Sequence, residues 1–76
     1  MAATPIHIKG ELIRLGQFLK LADAVDRGGD VKALLATQAV SVNGQVEARR
    51  GRQLRPGDVI TVAHSAYTVV LSSDPS

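Results

Sequence analysis

The chain has 76 residues, of which 45% are hydrophobic and none is cysteine, and its formal net charge is +2. This length predicts one domain over residues 1–76 that buries only about 60% of the surface its unfolded chain exposes, which leaves little room for an enclosed active site. The lack of cysteine excludes disulfides, thiolate metal sites and cysteine nucleophiles and favours a cytoplasmic location, and no apolar stretch approaches the ~20 residues of a membrane span.

The first predicted elements are a short strand and a helix. Ile6 and Ile8 alternate with polar neighbours, as in a strand, and this strand could continue toward Ile13. The next apolar residues follow the i, i+3, i+4, i+7 spacing of one helical face: Leu15, Phe18, Leu19 and Ala22. This spacing predicts a helix over roughly residues 15–23.

A second helix is predicted after a break at residues 26–29, because the adjacent pair Gly28-Gly29 opposes a continuous helix. Asp30 suits the start of this helix, where a negative charge meets the positive end of the helix dipole. Its apolar face consists of Val31, Leu34 and Leu35. Helices this short are marginal alone, so both must pack on other structure.

The other structure is a β-sheet. Val40 and Val42 alternate with Ser41 and lead into Asn43-Gly44, which is a strong hairpin signal. A two-residue loop would set Val46 opposite Ser41, away from the face of the two valines. A three-residue loop would set Val46 opposite Val42, and this longer loop is the one that we predict.

A second turn is predicted at residues 55–58, where Pro56 and Gly57 occupy the positions that a type II turn requires. Residues 59–63 and 67–71 then form two strands joined near His64, and residues 73–76 form a flexible tail. The predicted fold class is α+β, with two short helices packed on a small, mostly antiparallel β-sheet. Both aromatic residues, Phe18 and Tyr67, are expected in the core.

Four arginines lie within the seven residues 49–55, a segment that contains no acid: Arg49, Arg50, Arg52 and Arg55. The rest of the chain has five basic and seven acidic residues, a balance of −2. Arginine carries a permanent charge on a planar group that matches phosphate oxygens. The segment therefore indicates a polyanionic partner, although a solvated loop that aids solubility is the alternative.

Other basic residues could extend this charged surface. Lys32 lies near the start of the second helix, where free backbone N–H groups can receive a phosphate. The alternative is that the preceding glycines only let the chain turn and that Lys32 is an ordinary surface residue. Arg14 and Lys20 flank the first helix and allow the same two interpretations.

No group of residues indicates catalysis. His7 and His64 have no acidic neighbours at metal-ligand spacing, and the acids are scattered along the chain. Ser65 adjoins His64 but lacks the pattern of an activated nucleophile. We therefore expect a protein that is not an enzyme and that needs no metal and no cofactor.

The order of the elements resembles the S4 RNA-binding domain, a module first seen in a small-subunit ribosomal protein. The resemblance covers a core motif at about residues 14–62. It is carried by Arg14-Leu15, Phe18-Leu19-Lys20, Lys32, Leu34-Leu35, Val40-Ser41-Val42-Asn43-Gly44 and Leu54-Arg55-Pro56-Gly57-Asp58-Val59-Ile60. The short, stand-alone YbcJ-like ribosome-associated proteins of bacteria are the most similar group, through residues 28–32 and 46–50.

The resemblance implies the S4 fold, also called the alpha-L RNA-binding motif, in a monomer that binds structured RNA, with ribosomal RNA as a candidate. The binding face would comprise the two helices and the loop after Asn43-Gly44. Its basic residues would be Arg14, Lys20, Lys32, Arg49, Arg50 and Arg52, and the charged segment adds Arg55. The chain departs from the family at Gln38, where many members have the glycine that favours the positive φ of a helix end.

Two other functions fit parts of the pattern. A sulfur-carrier-like β-grasp protein also uses Val-Asn-Gly and Pro-Gly-Asp turns, but such carriers need a terminal Gly-Gly, and this sequence reads Asp74-Pro75-Ser76. A protein-interaction module would need an exposed apolar patch. Salt-dependent retention of RNA would distinguish RNA binding from the protein-interaction module.

Overall fold

The computed structural model describes residues 3–25, 30–63 and 65–72, which contain two helices and seven strands. The helices are α1 (Leu15–Leu21) and α2 (Val31–Ala36). The strands are β1 (Thr4–Ile8), β2 (Ile13–Arg14), β3 (Val40–Val42), β4 (Gln45–Val46), β5 (Gln53–Leu54), β6 (Val59–Val62) and β7 (Ser65–Leu71). The predictions made for Gly28-Gly29, for His64 and for the tail at 73–76 lie outside the described residues.

Five of these strands form one sheet in the order β1-β7-β6-β3-β4. Only β1 and β7 run parallel, and the other neighbours are antiparallel. The predicted α+β class with a mostly antiparallel sheet is therefore confirmed. The suggested continuation of the first strand toward Ile13 is wrong: the chain bends at residues 9–11, and Ile13 lies in β2, where it pairs with Leu54 of β5.

One cluster of buried side chains joins the helices to the strands. Both helices and six of the strands contribute to it or pack against it, because their apolar residues recur at the helical and strand periods. Phe18 is fully buried and its ring meets the ring of Tyr67 edge-on, with the ring centroids 6.4 Å apart. The fully buried or nearly buried members are Ile8, Leu15, Phe18, Leu19, Val31, Leu35, Val40, Val42, Leu54, Ile60, Val62 and Val69.

The helix ends follow from a few local interactions. The carboxylate of Asp30 accepts a hydrogen bond of 2.9 Å from the backbone N–H of Lys32, so the predicted start of α2 is confirmed. The end of α1 was predicted two residues too late, since Asp23 has φ +59° and cannot continue a helix. The chain leaves α2 through Gln38 at φ +62°, so glutamine here adopts the left-handed conformation that glycine would enter more easily.

The Asn43-Gly44 hairpin has a two-residue loop, so the three-residue loop that we predicted is wrong. Both central residues have positive φ, +52° and +87°, as a type I′ turn requires. Val46 consequently pairs with Ser41 and is 59% exposed. This arrangement is tolerated because β4 is an edge strand, where the turn geometry decides the register and the burial of one valine does not.

The turn at residues 55–58 is confirmed. Gly57 has φ +98° at the third position, and the N–H of Asp58 donates to the carbonyl oxygen of Arg55 at 3.0 Å. This turn leads into β6, which lies beside β3 in the sheet. It therefore places the end of the arginine-rich segment next to the hairpin.

Candidate nucleic-acid interface

Residues 47–52, which we call the arginine loop, connect the hairpin to β5. The loop begins at the edge of the sheet, where the N–H of Glu47 donates to the carbonyl oxygen of Val40 at 3.0 Å. It then turns over Arg50 and Gly51, and the N–H of Arg52 donates to the carbonyl oxygen of Arg49 at 3.1 Å. The turn leaves Arg50 and Gly51 exposed at its tip.

The arginine loop is bonded to the N-terminus of α1. The N–H of Leu15 donates to the carbonyl oxygen of Arg52, and the N–H of Gly16 donates to that of Arg50, both at 2.8 Å. The first N–H groups of a helix have no acceptor inside it, so the loop carbonyls satisfy two of them. Backbone hydrogen bonds thus contribute directly to the position of the loop relative to α1.

Gly16 lies where α1 and the arginine loop approach each other closely. A Cβ atom at this position would lie 3.4 Å from both the Cβ and the carbonyl oxygen of Arg50, at the short end of ordinary van der Waals contact. Sequence reasoning missed Gly16 as part of the site. Its only signal was a glycine in the first turn of a helix, where glycine is otherwise unfavourable.

Glu47 is the one buried charged residue among those that the structure describes. Its carboxylate accepts hydrogen bonds from the backbone N–H groups of Ala48 and Arg49 and from the guanidinium groups of Arg49 and Arg52. These contacts, led by the one with Arg49 and then the one with Arg52, lower the pKa of Glu47 from 4.5 to about 2. The segment of four arginines is therefore not free of acid in space, although it is free of acid in sequence.

Two surface grooves lie on either side of the loop tip. The first, the helix groove, has a volume of about 230 Å³ and runs between the loop, α1 and the start of α2. Its lining residues are Arg14, Gly16, Gln17, Lys20, Val31, Arg50 and Gly51. The second, the loop groove, is lined by Arg49, Gly51, Arg52 and Gln53. No acidic residue lines either groove within the part of the chain that the structure describes.

The structure thus brings together five of the seven basic residues predicted for the site. Arg14, Lys20 and Arg50 share the helix groove, and Arg49 and Arg52 share the loop groove. Arg14 reaches this surface because it immediately precedes α1, and Lys20 because it lies on the exposed face of that helix. Arg14 is also held by strand pairing with Gln53.

Arg55 and Lys32 do not line these grooves. Arg55 lines a different depression, together with Glu11 and the apolar residues Leu12, Pro56 and Leu71. Lys32 is exposed on α2, and its backbone N–H is already bonded to Asp30. A phosphate at the start of α2 would therefore meet an occupied donor and a negative carboxylate, which favours the alternative that Lys32 is a surface residue.

Two further observations concern sites of other kinds. In residues 3–25, 30–63 and 65–72, no three histidine, aspartate or glutamate side chains come together as metal ligands would. None of the helices in those ranges has the length and apolar character needed to span a bilayer.

The chain matches the S4 domain family over residues 6–70 and belongs to this family. It is similar to a Bacillus subtilis (strain 168) protein described as "Probable ribosome maturation protein RlbA", with 50% identity over 60 residues. The aligned region covers 79% of this chain and 84% of that relative, so the relative is also a short protein. The resemblance inferred from the turns, the helix residues and the basic segment is therefore confirmed.

Proposed function

We propose that this protein is a non-catalytic RNA-binding protein that holds structured RNA, with ribosomal RNA as the candidate, through the helix groove and the loop groove. The main observation in support of this proposal is that the helix groove brings together three basic residues from different positions in the sequence: Arg14, Lys20 and Arg50. Basic side chains grouped without acids suit the phosphate backbone, which supplies most of the affinity in protein–nucleic acid complexes.

The family and the relative support the same function. The chain belongs to the S4 domain family, and the B. subtilis relative is described as a "Probable ribosome maturation protein". A ribosomal partner would also place the protein in the cytoplasm. The aromatic residues favour contacts with the backbone of folded RNA, because Phe18 is buried and Tyr67 packs against the core, so neither offers a platform for stacking bases.

The proposal is tested by titrating an RNA hairpin into the protein at several salt concentrations. About four phosphate contacts predict a slope of log affinity against log salt of about −3 to −4. Arg50→Ala should weaken binding to different hairpins alike and should flatten the slope by about 1. A single-stranded RNA of the same composition should bind more weakly than the hairpin.

Lys9→Ala is the matched control, because Lys9 is exposed in the bend after β1 and its loss changes the net charge equally. We expect this variant to retain the affinity and the slope of the wild type. Equal effects of Lys9→Ala and Arg50→Ala would mean that only the net charge matters, and they would contradict a defined site. Absence of salt-dependent binding to any hairpin would contradict the proposed function itself.

A further inference from the structure

We infer that Glu47 is a positioning residue of the RNA-binding surface, which holds the arginine loop so that Arg50 is presented to phosphate while Arg49 and Arg52 are engaged in shaping the loop. This inference rests on the proposed function. It assigns unequal roles to arginines that the sequence presents as equivalent, and it gives an acidic residue a favourable role in binding an anion.

The hydrogen bonds of Glu47 gather both ends of the loop at one carboxylate. Oε2 accepts from the backbone N–H groups of Ala48 and Arg49, each at 3.1 Å, and from Nε of Arg49 at 3.2 Å. Oε1 accepts from Nη2 of Arg49 at 3.3 Å and from Nη1 of Arg52 at 2.8 Å. Residues 50 and 51 are the part of the loop that this carboxylate does not bind.

The loop closed in this way presents its carbonyl groups to α1. Arg52, whose side chain is bound by Glu47, offers its carbonyl oxygen to Leu15, and Arg50 offers its own to Gly16. If the carboxylate were lost, the two ends of the loop would be held only by backbone contacts. The loop tip would then sample several positions relative to Arg14 and Lys20, and the helix groove would be formed only part of the time.

The three loop arginines differ in what already binds them. Arg52 donates to Glu47 at 2.8 Å, and its side chain is only 33% exposed. Arg49 is 76% exposed but donates to the same carboxylate, so a phosphate at Arg49 must compete with Glu47. Among the residues that the structure describes, no side chain or carbonyl accepts from the guanidinium of Arg50. Arg50 is thus the loop arginine that is best prepared for a phosphate.

The test compares two substitutions that raise the net charge equally. Glu11→Gln removes an exposed acid outside both grooves, and simple electrostatics predicts that it leaves hairpin affinity unchanged or slightly tighter. Glu47→Gln adds the same charge beside the grooves but loses the charge-assisted hydrogen bonds. We expect it to weaken binding of the same RNA hairpin by about 10-fold. Binding of Glu47→Gln that is as tight as that of Glu11→Gln, or tighter, would overturn the inference.

A double variant asks whether Glu47 acts through Arg50. If it does, Glu47→Gln should weaken RNA binding much less in the Arg50→Ala background than in the wild-type background, because the side chain that Glu47 positions is already absent. Fully additive effects of the two substitutions on the binding free energy would overturn the inference that Glu47 acts through Arg50. Glu47→Asp keeps the charge but shortens the side chain, and we expect it to weaken binding as well, which separates geometry from charge even if Glu47→Gln folds poorly.

Amide hydrogen exchange provides a measurement that does not depend on RNA. In the wild type the N–H groups of Leu15 and Gly16 are bonded to the loop and should exchange slowly. Glu47→Gln should accelerate exchange at these two positions and not at Ile60 in the centre of the sheet. Unchanged exchange would refute the positioning role, whereas a failure of wild-type RNA binding with faster exchange in the variant would refute only the proposed function.

Discussion

The side-chain amide of Asn43 donates a hydrogen bond to the carboxylate of Asp58 at 3.2 Å and so joins two turns that are 15 residues apart in sequence. The amide oxygen of Asn43 also accepts from the N–H of Val59 at 3.0 Å, and the other Asp58 oxygen accepts from the N–H of Arg55 at 2.9 Å. The Asn-Gly turn and the Pro-Gly-Asp turn are therefore one structural unit. This unit fixes both ends of the segment that carries the arginine loop.

Replacing Asn43 with glycine should test this link without disturbing the backbone, since glycine accepts the positive φ of +52° that Asn43 has. The variant loses both side-chain hydrogen bonds and should be destabilised by about 1–2 kcal/mol. Chemical denaturation measures this change. Gln45→Ala, at an exposed neighbouring position of the same hairpin, should change the midpoint little, and an equal midpoint shift in both variants would argue against the link.

Phe18→Ala should remove the largest fully buried side chain. The lost burial and the cavity left behind predict a destabilisation of about 3–5 kcal/mol, which is a large part of the stability of a domain of this size. The denaturation midpoint should fall sharply. Leu21→Ala in the same helix is the control, because Leu21 is 54% exposed and alanine does not lower helix propensity, and a comparable loss there would contradict core burial as the source of the Phe18 effect.

Gln38→Gly should stabilise the protein by about 0.5–1 kcal/mol, because Gln38 is held at φ +62°, where a side chain is unfavourable and glycine is not. Thermal denaturation measures this gain. Ala33→Gly, at an exposed position inside α2, introduces the same residue into a helix and should instead cost about 1 kcal/mol. A loss of stability in Gln38→Gly would show that the side chain makes a compensating contribution.

The stabilising effect of Glu47 should depend on acid pH. Its pKa is lowered to about 2 in the folded chain from 4.5, so its contribution is complete above about pH 4.5 and is lost as the pH falls through 2. We expect the difference in unfolding free energy between the wild type and Glu47→Gln to narrow between pH 5 and pH 2. Urea denaturation of both proteins at each pH measures this difference. A difference that stays constant with pH would show that the ion pairs of Glu47 are not its cause.

Arg55→Ala should weaken RNA binding less than Arg50→Ala, although both remove one positive charge from the same seven-residue segment. The reason is position, since Arg55 lines a depression with Glu11 and Leu71 and Arg50 lines the helix groove. Titration of the same hairpin at low salt compares the two variants. A larger loss of RNA affinity in Arg55→Ala than in Arg50→Ala would indicate that the binding site lies at the depression lined by Arg55 and not at the helix groove.

The sequence by itself determined the local features of this protein. The two turns, the start of α2 at Asp30 and the apolar faces of the helices follow from backbone preferences and side-chain periods that act over a few residues. The family resemblance depends on the same short patterns. The arginine-rich segment is also visible in the sequence as charge density, and its role in binding RNA stays a prediction.

Only the tertiary structure decided which groups those arginines contact. The contact of Gly16 with Arg50 and the burial of Glu47 each depend on segments that meet only after the sheet and α1 have assembled. In sequence, Glu47 is one acid beside several bases, and nothing local indicates which guanidinium groups it will bind. The physical reason is that the ion pairs of a carboxylate depend on distance and burial in the folded chain. Folding therefore pairs Arg49 and Arg52 with Glu47 and leaves Arg50 at the helix groove.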